Sequence, residues 1–259
     1  MKEPLIQFRL TAGYPGKPEV LRNIEFEIQP GEIVGLVGPS GEGKSTIAMA
    51  TLGLLDFRGG TASGEIRFKG RNLLELSSRE MRDLRGREIA LVPQSPLAAL
   101  NPNLTLGAQL KEAWRAHRPG MPDWKELLAS VSLPAEESFL RLHPRNLSVG
   151  LAQRFLIGLA ILHRPSLLIA DEPTSALDAI TQTEILELFR TLSRRIGIAV
   201  LYISHDLVSV LSVCERVAIL KAGSIVEQGP VTEVFSNPRH PYTQELLNTI
   251  PRLPEPAKL

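Results

Sequence analysis

Apolar residues come in short alternating runs at the start of the chain and in continuous runs further in. Leu5 to Leu10 partly alternates, and Asn23 to Ile28 alternates clearly through Ile24, Phe26 and Ile28 before Pro30-Gly31 turns the chain. Both predict strands with one buried face. Glu32 to Val37 follows as a nearly unbroken apolar run, the pattern of a strand covered on both sides. A Gly-rich loop and a helical stretch from about Ser45 to Leu54 come next, then short strand candidates at Glu65 to Phe68 and Ile89 to Val92. From Leu104 to about Leu142 the pattern turns helical, with breaks at Pro119, Pro122 and Pro134, and a longer helix runs from about Val149 to His163. Strand signals return at Ser166 to Ala170 and Ile198 to Ile203, flanking a helix from Ile180 to Arg195. That alternation marks a parallel sheet. Arg216 to Lys221 and Ser224 to Gln228 read as a hairpin across Ala222-Gly223.

The pattern predicts an α/β fold: a mainly parallel core, antiparallel strands at the N-terminus, and a helical subdomain inserted at about 95–165. The chain, 1–259, is expected to form one domain, with a short extension from about 229 to 259 that carries several prolines. Lys and Arg total 29 and Asp and Glu 28, so no charge excess draws the chain to nucleic acid. The single cysteine, Cys214, permits no internal disulfide and fits a reducing cytosol. No apolar run reaches the roughly 20 residues that span a bilayer, and MKEPLIQFRL lacks the apolar core of a secretory signal. Any membrane contact is expected to be peripheral.

The loop Gly38-Pro39-Ser40-Gly41-Glu42-Gly43-Lys44-Ser45, followed by Thr46, fits G-x-x-x-x-G-K-[ST] between a strand and a helix. Its glycines let backbone N–H groups turn toward phosphate oxygens. The helix start adds a positive dipole end. Lys44 would neutralise phosphates and the Ser45 hydroxyl would ligate Mg²⁺. Further on, the apolar run Leu167 to Ala170 ends in Asp171-Glu172. In open parallel sheets ligands bind beyond the C-terminal strand ends. Asp171 would hold Mg²⁺ there through water, and Glu172 could take a proton from an attacking water. His117, His143, His163 and His240 show no metal-ligand spacing.

With these motifs in place, the sequence resembles the nucleotide-binding subunits of ABC transporters over almost its whole length, which implies a P-loop NTPase of ABC type that binds ATP and Mg²⁺. The resemblance makes Gln94, in Val92-Pro93-Gln94-Ser95, the Q-loop glutamine that touches Mg²⁺ and senses the transmembrane partner. It makes His205 the switch histidine at the γ-phosphate and Asp178, in Ser175-Ala176-Leu177-Asp178, the D-loop aspartate. Asp178 could also simply cap the helix that follows. Tyr14 falls where the family's adenine-stacking aromatic sits. Leu147-Ser148-Val149-Gly150-Leu151 stands at the LSGGQ signature, keeping Ser148 and Gly150, which contact the opposite subunit's ATP. Val149 replaces a glycine. A β-branched residue would restrict the backbone if that position requires a positive φ.

The segments Ile225 to Gly229 and Val234 to Leu247, the latter containing His240-Pro241-Tyr242-Thr243, resemble the extension of the oligopeptide, dipeptide and nickel importer branch, as does Leu100-Asn101-Pro102. Many members of that branch carry an iron–sulfur tail rich in cysteine. No cysteine follows Pro251, so no cluster is expected. The resemblance implies an importer ATPase at the cytoplasmic face of the membrane. Its partners would be permease subunits, a second identical or different ATP-binding subunit and, indirectly, a solute-binding protein. The alternative is a soluble ABC-type ATPase of a phosphonate-lyase-like complex. A DNA-organising ATPase would need long coiled-coil insertions, and no sustained heptad run exists.

Overall fold

The computed structural model describes residues 3–248, and the end of the extension, with Pro251, lies outside them. In chain order the first elements are β1 (Ile6–Tyr14), β2 (Lys17–Ile28), β3 (Ile33–Val37), α1 (Lys44–Thr51), β4 (Thr61–Phe68), β5 (Arg71–Asn72), α2 (Ser78–Leu84) and β6 (Ile89–Val92). A helical stretch follows: α3 (Pro96–Ala99), α4 (Leu106–Arg115), α5 (Trp124–Ser130), α6 (Glu137–Leu140) and α7 (Val149–Ile161). The chain then returns to the sheet through β7 (Leu167–Asp171), α8 (Ala179–Ile196), β8 (Ala199–Ser204), α9 (Leu207–Val213), β9 (Arg216–Lys221) and β10 (Ser224–Pro230), and closes with α10 (Val231–Ser236) and α11 (Pro241–Asn248).

Two sheets result. One is antiparallel, in the order β2-β1-β4-β5; the other is β10-β9-β3-β8-β7-β6, parallel from β9 to β6 with β10 antiparallel at its edge. In the first sheet the alternating apolar positions pair across the strands. Ile6 faces Ile28, Phe8 faces Phe26 and Leu10 faces Ile24, with the two phenylalanine rings stacked 4.3 Å apart. Such cross-strand pairs fix register, because a slip of one residue would send every apolar side chain to the opposite face.

The parallel sheet explains the continuous apolar runs. All five residues of β3 are buried. Val34 and Leu36 join the core beneath the antiparallel sheet and α1, whereas Ile33 and Val37 join the core packed by the helices. β7 and β8 divide in the same way: Leu167, Ile169, Leu201 and Ile203 lie on one side, Leu168, Ala170, Val200 and Tyr202 on the other. A strand covered on both faces has no polar side to write into its sequence.

Element boundaries shift from the sequence reading for local reasons. β2 begins at Lys17 rather than Asn23, because β1 continues to Tyr14 and pairs with it through irregular register. α1 ends at Thr51, three residues before Leu54, where Gly53 takes a φ of 59°. The sequence reading passed over α2, although Ser77 and Glu80 form a capping box at its start.

Candidate functional site

The loop between β3 and α1 is held by close backbone approaches. Gly38 lies against the carbonyl of Leu220 on β9, where a Cβ would collide. Gly43 caps α1 at a φ of 104°, and a Cβ there would fall 2.6 Å from the Leu21 side chain. Only glycine combines that conformation with that proximity. No side chain caps the N-terminus of α1 among the described residues, so no side-chain acceptor competes with an anion for its positive end. Lys44 is 5% exposed and its Nζ donates to the carbonyls of Gly38, at 2.7 Å, and Pro39, at 2.9 Å. Burial pulls the ammonium's pKa down, and the carboxylates of Glu172, Asp171 and Glu42 pull the other way. A buried cation folded onto carbonyls beside an uncapped helix start has the chemistry to accept a phosphate. Tyr14 lies at its rim, its hydroxyl 3.4 Å from that of Thr46.

β8 and then β7 follow β3 in the sheet, so the carboxylates at the end of β7 come to the same edge. Burial pushes the Asp171 carboxyl above its ordinary range; a hydrogen bond from the Ser45 hydroxyl opposes this and the Glu172 charge adds to it. The hydroxyl and the carboxylate form an oxygen pair of the kind that suits a hard divalent cation. Because the folded state raises this pKa, the folded state binds the extra proton. Stability is greatest below the ordinary carboxylate range and falls as pH rises through the raised value. Ionisation of Asp171 therefore opposes folding. Asp171→Asn, measured without Mg²⁺ or nucleotide, should raise the melting temperature by up to about 2–4 °C, the response of a chain this size to roughly 1 kcal/mol. The gain should shrink as pH falls toward the carboxylate range, and an unchanged or lowered melting temperature at pH 7 would contradict it.

Glu172 is the first residue beyond β7. Its backbone sits at a φ of 47°, anchored by its N–H to the Ile203 carbonyl at 2.9 Å. The carboxylate receives Gln94 Nε2 at 2.9 Å and lies 3.2 Å from His205 Nδ1, an ion pair whenever the imidazole is protonated. Ser175 closes the group, accepting from Gln94 at 3.4 Å and donating to the Glu172 carbonyl at 3.1 Å. Three loops, those after β6, β7 and β8, thus meet at one carboxylate.

The segment from Leu147 to Leu151 stands apart from this cluster. Ser148 caps α7 by accepting from the Leu151 N–H at 3.2 Å, and Gly150 packs where a Cβ would fall 2.7 Å from Thr181 of α8. Val149 is the first residue of α7 and has helical geometry, so the expected restriction by its branched side chain does not arise. Asp178 caps α8 through the N–H groups of Ile180 and Thr181 and the Thr181 hydroxyl, which hold its carboxyl below the usual range. The sequence reading gave Lys221 no role and took Tyr242 only as part of the branch segment; Lys221 approaches Glu42 in the phosphate loop and stacks on the Tyr242 ring. No local pattern announces a pairing between residues so distant along the chain.

A family model described as ABC transporter matches residues 21–175, and one described as the oligopeptide/dipeptide transporter C-terminal region matches residues 226–259. The chain is 43% identical over 263 residues to a probable peptide ABC transporter ATP-binding protein, y4tR, of Sinorhizobium fredii, covering 95% of this chain and 78% of that protein. It is 40% identical over 237 residues to the dipeptide transport ATP-binding protein DppD of Haemophilus influenzae, covering 90% and 72%. Among solved structures, the post-hydrolysis dimer of the ATP-binding cassette MJ0796 bound to ADP and Pi superposes with a TM-score of 0.73 at 27% identity, covering 87% of this chain and 98% of that one.

Proposed function

The chain belongs to the ABC transporter family as an ATP-hydrolysing subunit, and on that premise we propose that it powers a membrane-associated importer of peptides, nickel or a related small solute. The convergence of Lys44, Asp171, Glu172 and His205 at the C-terminal edge of neighbouring parallel strands carries the ATPase chemistry. The match of residues 226–259 to the peptide-transporter C-terminal region supports the branch.

In this reading the phosphates of ATP lie in the loop from Gly38 to Thr46, through Pro39, Ser40, Gly41, Glu42, Gly43, Lys44 and Ser45. Lys44 exchanges its two carbonyl partners for phosphate oxygens. Ser45 and Asp171, with Gln94 at the edge, would hold Mg²⁺, which when bound neutralises phosphate charge. Glu172 accepts a proton from the water that attacks the γ-phosphorus as the bond to the leaving diphosphate breaks. Gln94 orients that carboxylate, and His205 lies close enough to share the developing charge. Tyr14 offers its ring to adenine. Ser148 and Gly150 serve the ATP of a second ATP-binding subunit, and Asp178 lies between the two sites.

The helical insertion at 95–165 receives the permease subunits, and a solute-binding protein acts through them. Attachment at the cytoplasmic face is through those subunits; among the described residues no helix is long and apolar enough to cross a membrane. Purification of the tagged chain from mild detergent extracts tests the reading. Recovery of integral membrane subunits with ATP-dependent solute uptake is the expected result. A soluble enzyme core in their place would assign the chain to a phosphonate-lyase-like complex instead.

A further inference from the structure

The Pro241-Tyr242-Thr243 turn marks the branch, yet nothing in the hydrolytic site uses it. It opens α11, and the structure shows how that helix is docked. Glu227 on β10 accepts the backbone N–H groups of Arg239, at 2.8 Å, and His240, at 3.0 Å. His240 Nδ1 in turn accepts the Tyr242 N–H at 3.2 Å, and Thr243 is fully buried. These bonds set the Tyr242 ring 4.5 Å from Lys221 Nζ, at the end of β9. The same ammonium lies 3.8 Å from the Glu42 carboxylate, within the phosphate loop. The Glu42 side chain is 21% exposed and that of Lys221 40%.

A carboxylate in a loop that must accept polyphosphate is an electrostatic liability. Glu42 stands two residues before Lys44, and its charge is among those acting on the Lys44 ammonium. Left alone it would repel an anionic ligand. An ammonium beside it cancels that repulsion, and an aromatic face holds a cation in place by attraction to its ring. A half-exposed pair of this kind contributes little to folding stability. Its importance lies in the net charge that the loop shows to its ligand.

We propose that Lys221, positioned over Tyr242 by the docked C-terminal extension, balances Glu42 in the phosphate loop and so sets nucleotide affinity. Lys221 is a positioning and charge-balancing residue, and the extension becomes thermodynamically linked to the nucleotide site. What strengthens its docking strengthens ATP binding, and ATP binding in turn favours docking. The inference rests on ATP occupying the Gly38–Thr46 loop.

Calorimetric titration of the purified chain with Mg-ATP tests both ideas separately. Absence of ATP binding by the wild type would remove the premise itself. Given wild-type binding, Lys221→Met should weaken affinity about 3- to 10-fold, the scale of one uncompensated charge several ångströms away in a partly screened site. The double variant Glu42→Gln with Lys221→Met should recover to within about 2-fold of Glu42→Gln alone, because without the carboxylate there is nothing to balance. Tyr242→Ala should shift affinity in the same direction as Lys221→Met. The Lys221→Met effect should also shrink in about 0.5 M salt, as screening demands. Unchanged affinity in Lys221→Met would overturn the proposal. A double variant as weak as Lys221→Met alone would also overturn it, since Lys221 would then act on the nucleotide without Glu42.

Discussion

Glu172→Gln should bind Mg-ATP within about 3-fold of wild type and hydrolyse it about 10²–10⁴-fold more slowly, the range expected when a general base is lost. The amide keeps the length and planarity of the carboxylate, so Gln94 and His205 retain a neighbour of the same shape. What disappears is the basicity that draws a proton from the attacking water. Because binding survives while turnover stops, the ATP-bound pair of subunits should accumulate and become visible as a stable dimer. The measurement is single-turnover hydrolysis in the assembled complex, with binding followed in parallel. Near-normal turnover would remove Glu172 from the role proposed for it and leave His205 or bound solvent as the base.

Lys44→Ala should lower Mg-ATP affinity by about 10- to 100-fold, corresponding to one hydrogen bond to a charged group at roughly 1.5–3 kcal/mol. The loss has two parts. The phosphates lose their buried cation, and the carbonyls of Gly38 and Pro39 lose the donor that shapes the loop. Lys44→Arg separates these contributions. It keeps the charge but replaces a compact ammonium with a broad planar fork. Affinity near that of Lys44→Ala would show that fit dominates, whereas substantial recovery would show that charge does. Equal affinity for wild type and Lys44→Ala at matched Mg²⁺ would contradict the assignment of the loop.

How much of this was legible in the sequence follows from which interactions are local. The loop from Gly38 to Thr46 announces itself because its chemistry is consecutive: strand, glycines, lysine and helix follow one another within a dozen residues. Asp178 is legible as a cap for the same reason, since its partners are the next residues along. The capping box at Ser77 and Glu80 is equally local and was available to be read. The residues around Glu172 show the other case. Gln94 lies 78 residues upstream of it in sequence and 2.9 Å away in space, and only the order of strands in the sheet brings the two together. Without the family resemblance, Gln94 is one surface amide among several. Val149 is instructive in the opposite sense. Substitution of a glycine suggested a backbone constraint, but a first helical turn imposes none. The Glu42–Lys221 pair had no signal, because β9 meets the phosphate loop only after β3 has been inserted between β9 and β8.

The backbone of Glu172 gives a mutational scan two different answers at one position. A φ of 47° costs a non-glycine residue about 1–2 kcal/mol, so the proposed general base occupies a place where glycine would be conformationally at ease. A library of all substitutions at 172, scored by cellular abundance, should rank glycine and asparagine at or above the native glutamate. The same library scored by growth on a solute that requires transport should retain glutamate and reject both. Abundance data alone would mark the position as tolerant, and only the comparison of the two screens would expose it. Residues whose fitness and stability rankings cross in this way reveal where selection for chemistry has overridden selection for the fold.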